Sequence, residues 1–471
     1  MQLFVREKAF YSRMLSIAIP ITLWGMVNFG VNMVDTVVLG TLGGTSLSAV
    51  SLANQFCFLF MIINFGLGSG ASVLTGQFWG KGDRESIGKT LSLMFRITAV
   101  MAILFFSAAQ FFPEKIMSFY TPDQAVITEA SRFLRVVSWA FLLQGFSTIM
   151  MIVLRTVGVV KLPLVTGIIT LLNNILLNWL FVFGNLGMPQ MGIAGSALAT
   201  TISRVLEFVV ITVFVFAIDK KIALKPKMLL VTDRAILKDY LKHGLPVLCS
   251  DFALALGMNA VAAIVGHIST DFVTANAIAS MIWQFTTVFL MGTSGASSVI
   301  IGNTVGAKRY EDAQKYGVTF LAIGVIVGLF SGLVLFLLRN IAVQIPIFQV
   351  NDQVRSIAAD LMGAIALLSI FASAQMMLTK GVLRAGGDTR FLMIADMLFL
   401  WVVSIPLGLL VGLVFHAPPF VVLLCIRIDE VIKAVWCISR LFSGRWIRNV
   451  TILTGHEEQP QAVLAEAEGA E

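Results

Sequence analysis

The hydrophobic positions of this chain form long runs rather than the short alternating patterns of a soluble domain. About 20 apolar residues are enough for a helix to cross a bilayer. The runs are separated by short segments rich in glycine, proline and charge, which are typical of turns. The pattern predicts an all-α membrane protein with twelve transmembrane helices, at residues 15–39, 47–75, 90–112, 132–154, 162–184, 192–217, 244–266, 272–302, 316–338, 357–379, 391–415 and 419–439.

The two halves of the sequence are related copies. A shift of 226 residues without gaps places Pro20 on Pro246, and it superposes four pairs of glycines: Gly40 and Gly266, Gly66 and Gly292, Gly76 and Gly302, Gly80 and Gly306. Six helices repeated in the same orientation are typical of transporters that hold substrate near the midplane and alternate its access. We predict two pseudo-symmetric six-helix bundles, arranged as an N-lobe at 1–217, a connector at 218–243, a C-lobe at 244–443 and a tail at 444–471 that ends in disorder.

Composition supports a membrane class and excludes several others. Of 471 residues, 58% are hydrophobic and 13% are charged, and the mean hydropathy is +0.90. The net charge of +7 does not indicate nucleic-acid binding, because lysine and arginine concentrate in alternate connectors, which predicts that both termini are cytoplasmic. The sequence has no GxxxxGK[ST], HExxH or Ser-His-Asp pattern, so we expect no ATP-driven step, no enzyme, no bound metal and no cofactor. Four cysteines in apolar runs are predicted to be free thiols: Cys57, Cys249, Cys425 and Cys437.

The first apolar run, Ile17–Leu39, carries the strongest candidate site. Asp35 lies well inside this predicted helix, where an ionisable side chain is costly and indicates function. Asn32 and Asn28 precede it by about one and two turns, so the three polar groups share a stripe. Pro20 lies further up the same helix and predicts a bend there.

Other spans carry weaker candidates, each with a structural alternative. Asp251 in the seventh span and Asp396 in the eleventh are candidate contacts for a cation or a cationic substrate, or else structural acids paired within the bundle. The pairs Arg204–Glu207 and Arg427–Glu430 are predicted to be local ion pairs. Polar and soft side chains that either line a substrate pocket or pack between helices are Gln55, Thr200, Met258, Met281 and Phe285.

Five segments together resemble the multidrug and toxic compound extrusion (MATE) family over roughly residues 12–450. These segments are VDTVVLGTLGG at 34–44, GLGSGASVLTGQFWGKGD at 66–83, LNNILLNWLFVFG at 172–184, GIAGSALATTISR at 192–204 and LRAGGDTR at 383–390. The resemblance implies a V-shaped pair of lobes and a secondary antiporter without a cofactor. It also places the family's helix 1 carboxylate on Asp35, its bending proline on Pro20 and its helix 5 polar pair on Asn174 and Asn178.

The resemblance is closest to the NorM/DinF-like members, within a wider group of multidrug, oligosaccharidyl-lipid and polysaccharide flippases. Asn178 stands where the best-known proton-coupled branch has an aspartate. Residues near Leu254 and Ser373 are apolar or small where sodium-driven relatives carry acids.

We therefore expect export of cationic or amphiphilic small molecules in exchange for protons, coupled at Asp35 with Asn28, Asn32, Asn174 and Asn178 around it. Sodium coupling, with the ion at Asp35, is the alternative driver. A flippase for a lipid-linked precursor is the alternative function, and a membrane scaffold or receptor is disfavoured by the repeat and the short connectors. We expect a monomer in the cell (inner) membrane, with the lipid bilayer and the substrate as its partners and no nucleic acid.

Overall fold

The computed structural model describes residues 4–40, 44–231, 233–342 and 351–451, and the regular elements in this part are helices. The first half contains α1 (Lys8–Gly40), α2 (Gly44–Lys81), α3 (Arg84–Phe111), α4 (Pro113–Ser118), α5 (Gln124–Val137), α6 (Phe141–Thr156), α7 (Lys161–Phe181) and α8 (Ile193–Val213). The second half contains α9 (Arg234–Asp239), α10 (Leu245–Ile268), α11 (Thr270–Gly306), α12 (Tyr310–Ala342), α13 (Asp352–Met376), α14 (Leu383–Ala385), α15 (Thr389–Met397), α16 (Ile405–Leu409), α17 (Pro419–Ile426) and α18 (Ile428–Phe442).

Short irregular turns join several of these helices into longer rods. The 3₁₀ turns are Ser138–Ala140, Asn185–Gly187 and Pro226–Leu230. The π-helical segments are Phe214–Ile218, Tyr240–Gly244, Met377–Val382, Leu398–Ser404 and Leu410–Val414. A π-helical turn inserts an extra residue into a helix and is frequent at functional sites. The segment Met377–Val382 matters most here, because it connects α13 to α14 and carries Lys380.

Eleven helical stretches in the described part of the chain are long and apolar enough to cross a membrane, which confirms most of the predicted spans. The predicted twelfth span, at 419–439, is not one continuous helix but α17 and α18, which are broken at Arg427. The backbone N–H of Asp429, in the first turn of α18, donates to the Ser404 hydroxyl at 3.0 Å. This bond to a neighbouring segment explains why the helix restarts there.

The chain divides into two compact units, which we call the N-half unit and the C-half unit. The N-half unit contains Leu23–Thr75 and Asp83–Lys238, and the C-half unit contains the described residues of Met1–Thr22, Gly76–Gly82 and Asp239–Glu471. The start of α1 and the end of α2 thus belong with the second half of the sequence. The lobe boundaries at 217 and 244 stay a prediction.

The end of α2 crosses α11 at glycines that the internal repeat had aligned. A Cβ atom at Gly302 would lie 3.5 Å from the Cα of Gly76, and one at Gly76 would lie 3.7 Å from the Cα of Gly302. A side chain at Gly80 would overlap the backbone of Asn303, and one at Gly306 would overlap the backbone of Gln77. Glycine is therefore required at Gly80 and Gly306 so that the two backbones can touch, whereas a Cβ at Gly76 or Gly302 would make only ordinary contact.

A short segment after the last helix, Arg445–Thr451, folds back onto the C-half unit, and we call it the C-terminal strap. Trp446 is fully buried, and its indole N–H donates to the side-chain oxygen of Gln314 at 2.8 Å. The buried Gln77 amide donates to the carbonyls of Ala385 and Arg448, both at 3.1 Å, and accepts from the N–H of Val450 at 2.9 Å. In the described part of the predicted tail, 444–451, Trp446, Val450 and Thr451 are thus buried, and the rest of the tail lies outside the described residues.

The connector between the halves carries a polar contact near the bundle end. Lys89 at the start of α3 lies 2.9 Å from Glu85 and 3.3 Å from Asp233. Partial burial raises the pKa of Asp233, but hydrogen bonds from the N–H of Ala235 and from Lys89 outweigh it, so this pKa lies below its ordinary value of 3.8. Lys89 is thus a partly buried lysine held by two acids, well separated in sequence from the candidate site residues.

Candidate functional site

The buried face of α7 is polar, and we call its residues Thr166, Thr170, Asn174 and Asn178 the amide stripe. They recur every four residues, so they lie above one another on one face of the helix. The amide of Asn178 donates to the side-chain oxygen of Asn174 at 3.0 Å, and the two residues are 0% and 2% exposed. The structure thus brings this predicted pair together. Buried amides inside a membrane helix either join helices or line a polar cavity.

The amide stripe belongs to a helix that packs against α1. A Cβ at Gly167 would lie 3.2 Å from the Trp24 ring and 3.5 Å from Val27, while one at Gly30 would lie 3.9 Å from Leu171. Asn28 on this part of α1 is half-buried and donates to the Trp24 carbonyl at 3.1 Å, within its own helix. The side chains of Asp35 and Asn32 lie outside the described residues, although α1 itself runs to Gly40.

The remaining first-half candidates do not join the amide stripe through any contact that the structure gives. Pro20 lies inside α1, which continues through it. Gln55 on α2 is exposed, and Thr200 on α8 is half-buried. In the second half, Met258 and Phe285 are exposed by 73% and 52%, while Met281 is half-buried. Their role as pocket contacts stays a prediction.

The C-half unit contains a group of charged side chains on its membrane-length helices and on the shorter α18, which we call the ion cluster: Asp251, Lys380, Arg384, Asp396, Asp429 and Lys433. At one end, Lys380 Nζ lies 2.5 Å from Asp251 Oδ1. Arg384 donates to both carboxylate oxygens of Asp251, at 2.9 and 3.0 Å. A forked guanidinium contact of this kind fixes the carboxylate in position.

At the other end of the ion cluster, one lysine joins two acids. Lys433 Nζ lies 2.8 Å from Asp429 Oδ2 and 3.4 Å from Asp396 Oδ1. The Ser250 hydroxyl donates to Asp396 at 2.5 Å, and the Ser404 hydroxyl donates to Asp429 at 3.0 Å. Ser250 and Asp251 are neighbours on α10, and Ser250 bonds to Asp396. The two ends of the ion cluster are therefore linked through adjacent residues of that helix. The three acids balance three bases, which lowers the cost of placing charge inside the bundle.

The two predicted acids of the second half are therefore already paired. Asp251 accepts from Lys380 and Arg384, and Asp396 accepts from Ser250 and lies beside Lys433. A cation that reaches either carboxylate meets a base already in place. This arrangement matches the structural alternative given from the sequence, in which the acids are paired within the bundle. For the predicted cation contact, the cation would have to displace a base.

Sequence reasoning missed the three bases of this cluster. Arg384 stands within the quoted segment LRAGGDTR, and Lys380 precedes it by four residues, on the same helix face. Lys433 lies within the predicted twelfth span. The rule that an ionisable group in a span needs a partner or a role applies to Lys433, whereas Lys380 and Arg384 lie just beyond the predicted span at 357–379.

Two predicted ion pairs are local contacts, and the structure confirms both. Arg204 and Glu207 form an ion pair at 2.6 Å, and Arg427 and Glu430 form one at 3.6 Å. The four cysteines are free. Among the described residues, no group of three or more histidine, cysteine, aspartate or glutamate side chains is placed to hold a metal ion.

Membrane-length helices in two halves, with polar and charged groups buried inside the helices, define a polytopic membrane transporter. Residues 20–180 and 246–410 match the model of the MatE family. The chain belongs to this family, the MATE transporters. It is therefore a transporter and not an enzyme.

Two relatives and one solved structure illustrate the similarity. The chain is 28% identical to the probable multidrug resistance protein NorM of Mesorhizobium japonicum, over 92% of this chain and 93% of that protein. It is 25% identical to the multidrug resistance protein NorM of Vibrio vulnificus, over 87% and 89%. A structure of an outward-facing multidrug resistance MATE family transporter of the MOP superfamily superposes with a TM-score of 0.83 at 18% identity, over 92% of this chain and 96% of that one. The predicted MATE fold with twelve helices in two lobes is confirmed.

Proposed function

We propose that this protein is a secondary antiporter that exports cationic or amphiphilic compounds in exchange for protons, coupled through Asp35. Family membership and the names of both NorM relatives support drug export. Multidrug transport requires a site that tolerates varied shapes, and polarizable methionine side chains suit such a site. Small-molecule cations are therefore the proposed substrates.

The amide stripe is the observation that carries the proposed coupling site. On α1 and α7, Trp24 and Val27 contact Gly167, and one turn later Gly30 contacts Leu171. If the two helices keep this register for one more turn, position 35 comes level with Asn174 and Asn178. Amides can donate to an ionised carboxylate and accept from a protonated one, so both states of Asp35 would find hydrogen bonds there.

The proposed cycle exchanges charge for charge at Asp35. The ionised carboxylate holds a cationic substrate, and a proton arriving from outside neutralises the carboxylate and releases the substrate. Moving one charge across the membrane is worth about 2.3 kcal/mol per 100 mV, so a one-for-one exchange cancels this contribution and draws on the pH gradient alone. Pro20 lacks the N–H that would bond to Ser16, so α1 can bend there as the site empties.

Proteoliposomes loaded with a fluorescent cation test this proposal. An imposed pH gradient should drive transport by the unaltered chain, and Asp35→Asn, which mimics the protonated carboxyl, should bind the cation more weakly and lose proton-driven transport. Asp352→Asn is the matched control, because this carboxylate lies at the start of α13 with a side chain that is 99% exposed. Full proton-driven transport by Asp35→Asn would exclude the coupling role.

The same vesicles decide between the two driving ions. A sodium gradient imposed without a pH gradient should leave the cation in place if protons drive export. Transport under that gradient alone would assign sodium instead. The alternative function, flipping of a lipid-linked precursor, needs excess positive charge for a pyrophosphate, whereas the ion cluster has three acids and three bases.

The proposed setting is the inner membrane of a bacterial cell, with both termini in the cytoplasm and the chain acting as a monomer. The excess of lysine and arginine in alternate connectors supports this orientation. Cysteine labelling at Lys225 in the connector and at Lys115 in the opposite set of loops tests it. Reaction of intact cells at position 115 alone is the expected result.

A further inference from the structure

The ion cluster contains one carboxylate with two bases of different chemistry. Asp251 is contacted by Lys380 at 2.5 Å and by both terminal nitrogens of Arg384, at 2.9 and 3.0 Å. A guanidinium keeps its proton under all ordinary conditions. A lysine ammonium in a partly buried site can release its proton and become a neutral amine. Within this trio, only Lys380 can change the charge on the basic side.

Lys380 is also the accessible member of the trio. Its side chain is 32% exposed, whereas those of Asp251 and Arg384 are 9% and 4% exposed. It lies on the π-helical segment Met377–Val382, in which the regular helical bonding is interrupted. Arg384 therefore anchors the carboxylate from the buried side, and Lys380 occupies the side that an incoming molecule can reach.

The duplicated fold does not require this lysine and acid. In the first half of the sequence, Met151 stands at the position of Lys380 and Gly25 at that of Asp251, and only Arg155 matches Arg384. A buried ion pair contributes little to stability compared with apolar residues of similar size. The pair is thus an addition to the second half alone, and fold stability is a weak reason for its presence.

The other charged groups near Lys380 already have partners, and one of them, Asp396, also attracts Lys380 and Arg384. Asp396 and Asp429 share Lys433, and Glu430 pairs with Arg427. A cation that reaches Asp251 would therefore be a third positive charge beside one carboxylate, and like charges at such distances repel strongly in a site of low dielectric. Release of the Lys380 proton is the change that removes this repulsion without moving Arg384.

We propose that Asp251 and Lys380 form a cation–proton exchange site. A cationic substrate takes the place of the Lys380 ammonium beside Asp251, and Lys380 gives its proton to water and stays in the site as a neutral amine. One positive charge enters and one leaves, so the exchange is electroneutral. The inference rests on the proposed cation export and adds a second exchange site, independent of Asp35.

Binding-linked proton release tests the site without transport. Tetraphenylphosphonium, which cannot titrate, is added to the purified full-length Asp35→Asn protein in weakly buffered detergent, and a pH indicator reports the protons. About one proton should be released per cation bound. Lys380→Arg should release none and bind the cation about tenfold more weakly, because its charge is permanent. Lys380→Gln should release none and bind about tenfold more tightly, because no base competes.

Lys89→Arg is the matched control, since Lys89 also contacts two carboxylates but lies in the other unit. It should release protons as its parent does. A purely structural role for Lys380 would shift affinity in the same direction in both variants, and that result overturns the inference. Unchanged proton release in Lys380→Arg, or none in the Asp35→Asn parent, also overturns it. Loss of vesicle transport with intact proton release would refute the export proposal alone.

Discussion

The two halves of this transporter share a helix plan but differ in what they bury inside it. The first half holds neutral amides, Asn174 and Asn178, which bond to each other. The second half holds a charge-balanced cluster in which Asp251 and Asp396 are paired with bases. The repeat also pairs Asn28 of the first half with Leu254 of the second, so a polar amide in one half corresponds to an apolar residue in the other.

The shared features are those that set the distance between backbones. Gly76 and Gly302 touch at a symmetric crossing, and Gly80 and Gly306 each face the backbone of the opposite helix. A side chain at Gly80 or Gly306 would push the two helices apart, so both copies must keep glycine at this position. Polar groups are not constrained in this way, because a bundle accepts either an amide or an apolar residue at most positions. The duplicated sequence thus preserves the crossing while the chemistry of each half changes independently.

The largest expected effect is on the second half, at Lys433. Lys433→Met leaves Asp396 and Asp429 as two buried carboxylates without their shared base, and removing one partner of a buried ion pair costs about 3–5 kcal/mol. The midpoint of unfolding in a detergent titration measures this loss. Lys225→Met, in the exposed connector, should leave the midpoint unchanged. Equal midpoints for both variants would show that the ion cluster does not hold the bundle together.

An intermediate effect should separate two arginines related by the repeat. Arg384→Gln removes two charge-assisted hydrogen bonds to Asp251 while Lys380 stays in place, at a cost of about 1.5–3 kcal/mol. Arg155 has no carboxylate within ion-pair distance among the described residues, so Arg155→Gln should cost less than about 1 kcal/mol. The same unfolding titration compares them. A larger loss of unfolding free energy in Arg155→Gln than in Arg384→Gln would mean that Arg155 contributes more to stability than Arg384.

The smallest effect on stability is expected in the amide stripe. Asn178→Ala removes the side-chain hydrogen bond to Asn174. Asn173→Ala removes a hydrogen bond of the same 3.0 Å length, from the Asn173 side-chain amide to the Ser203 hydroxyl. Each should cost about 0.5–1.5 kcal/mol of unfolding free energy. Proton-driven transport should fall at least about tenfold in Asn178→Ala alone. An equal loss of transport in both variants would indicate that the amide stripe only joins helices and has no role in coupling.

Much of the fold follows from the sequence because hydropathy and glycine spacing are local signals. A run of apolar residues predicts a span without knowledge of its neighbours, and the repeat aligned Gly76 with Gly302 before any contact was known. The break at Arg427 depends instead on Ser404, which is distant in the chain and accepts the N–H of Asp429. No pattern within residues 419–439 contains that information.

The candidate site was predictable only in part, for a similar reason. The Asn174–Asn178 pair is local, because the two residues are four positions apart, and the structure brings it together. The partners of Asp251 lie 129 and 133 residues away, so spacing could not reveal that this acid is already bound. Because Lys380 and Arg384 also lie outside the predicted spans, a search for bases within the spans would not have found these two partners.

The C-terminal strap also bears on how the chain is made. Gln77 is translated early, but one of its three hydrogen-bond partners, Val450, follows 373 residues later. At about 5–20 residues per second, a ribosome needs roughly 20–75 s to reach that partner. During that interval the amide of Gln77 must be satisfied by other groups or by water. The last described residues of the chain are thus the ones that allow one of its first helices to reach its final contacts.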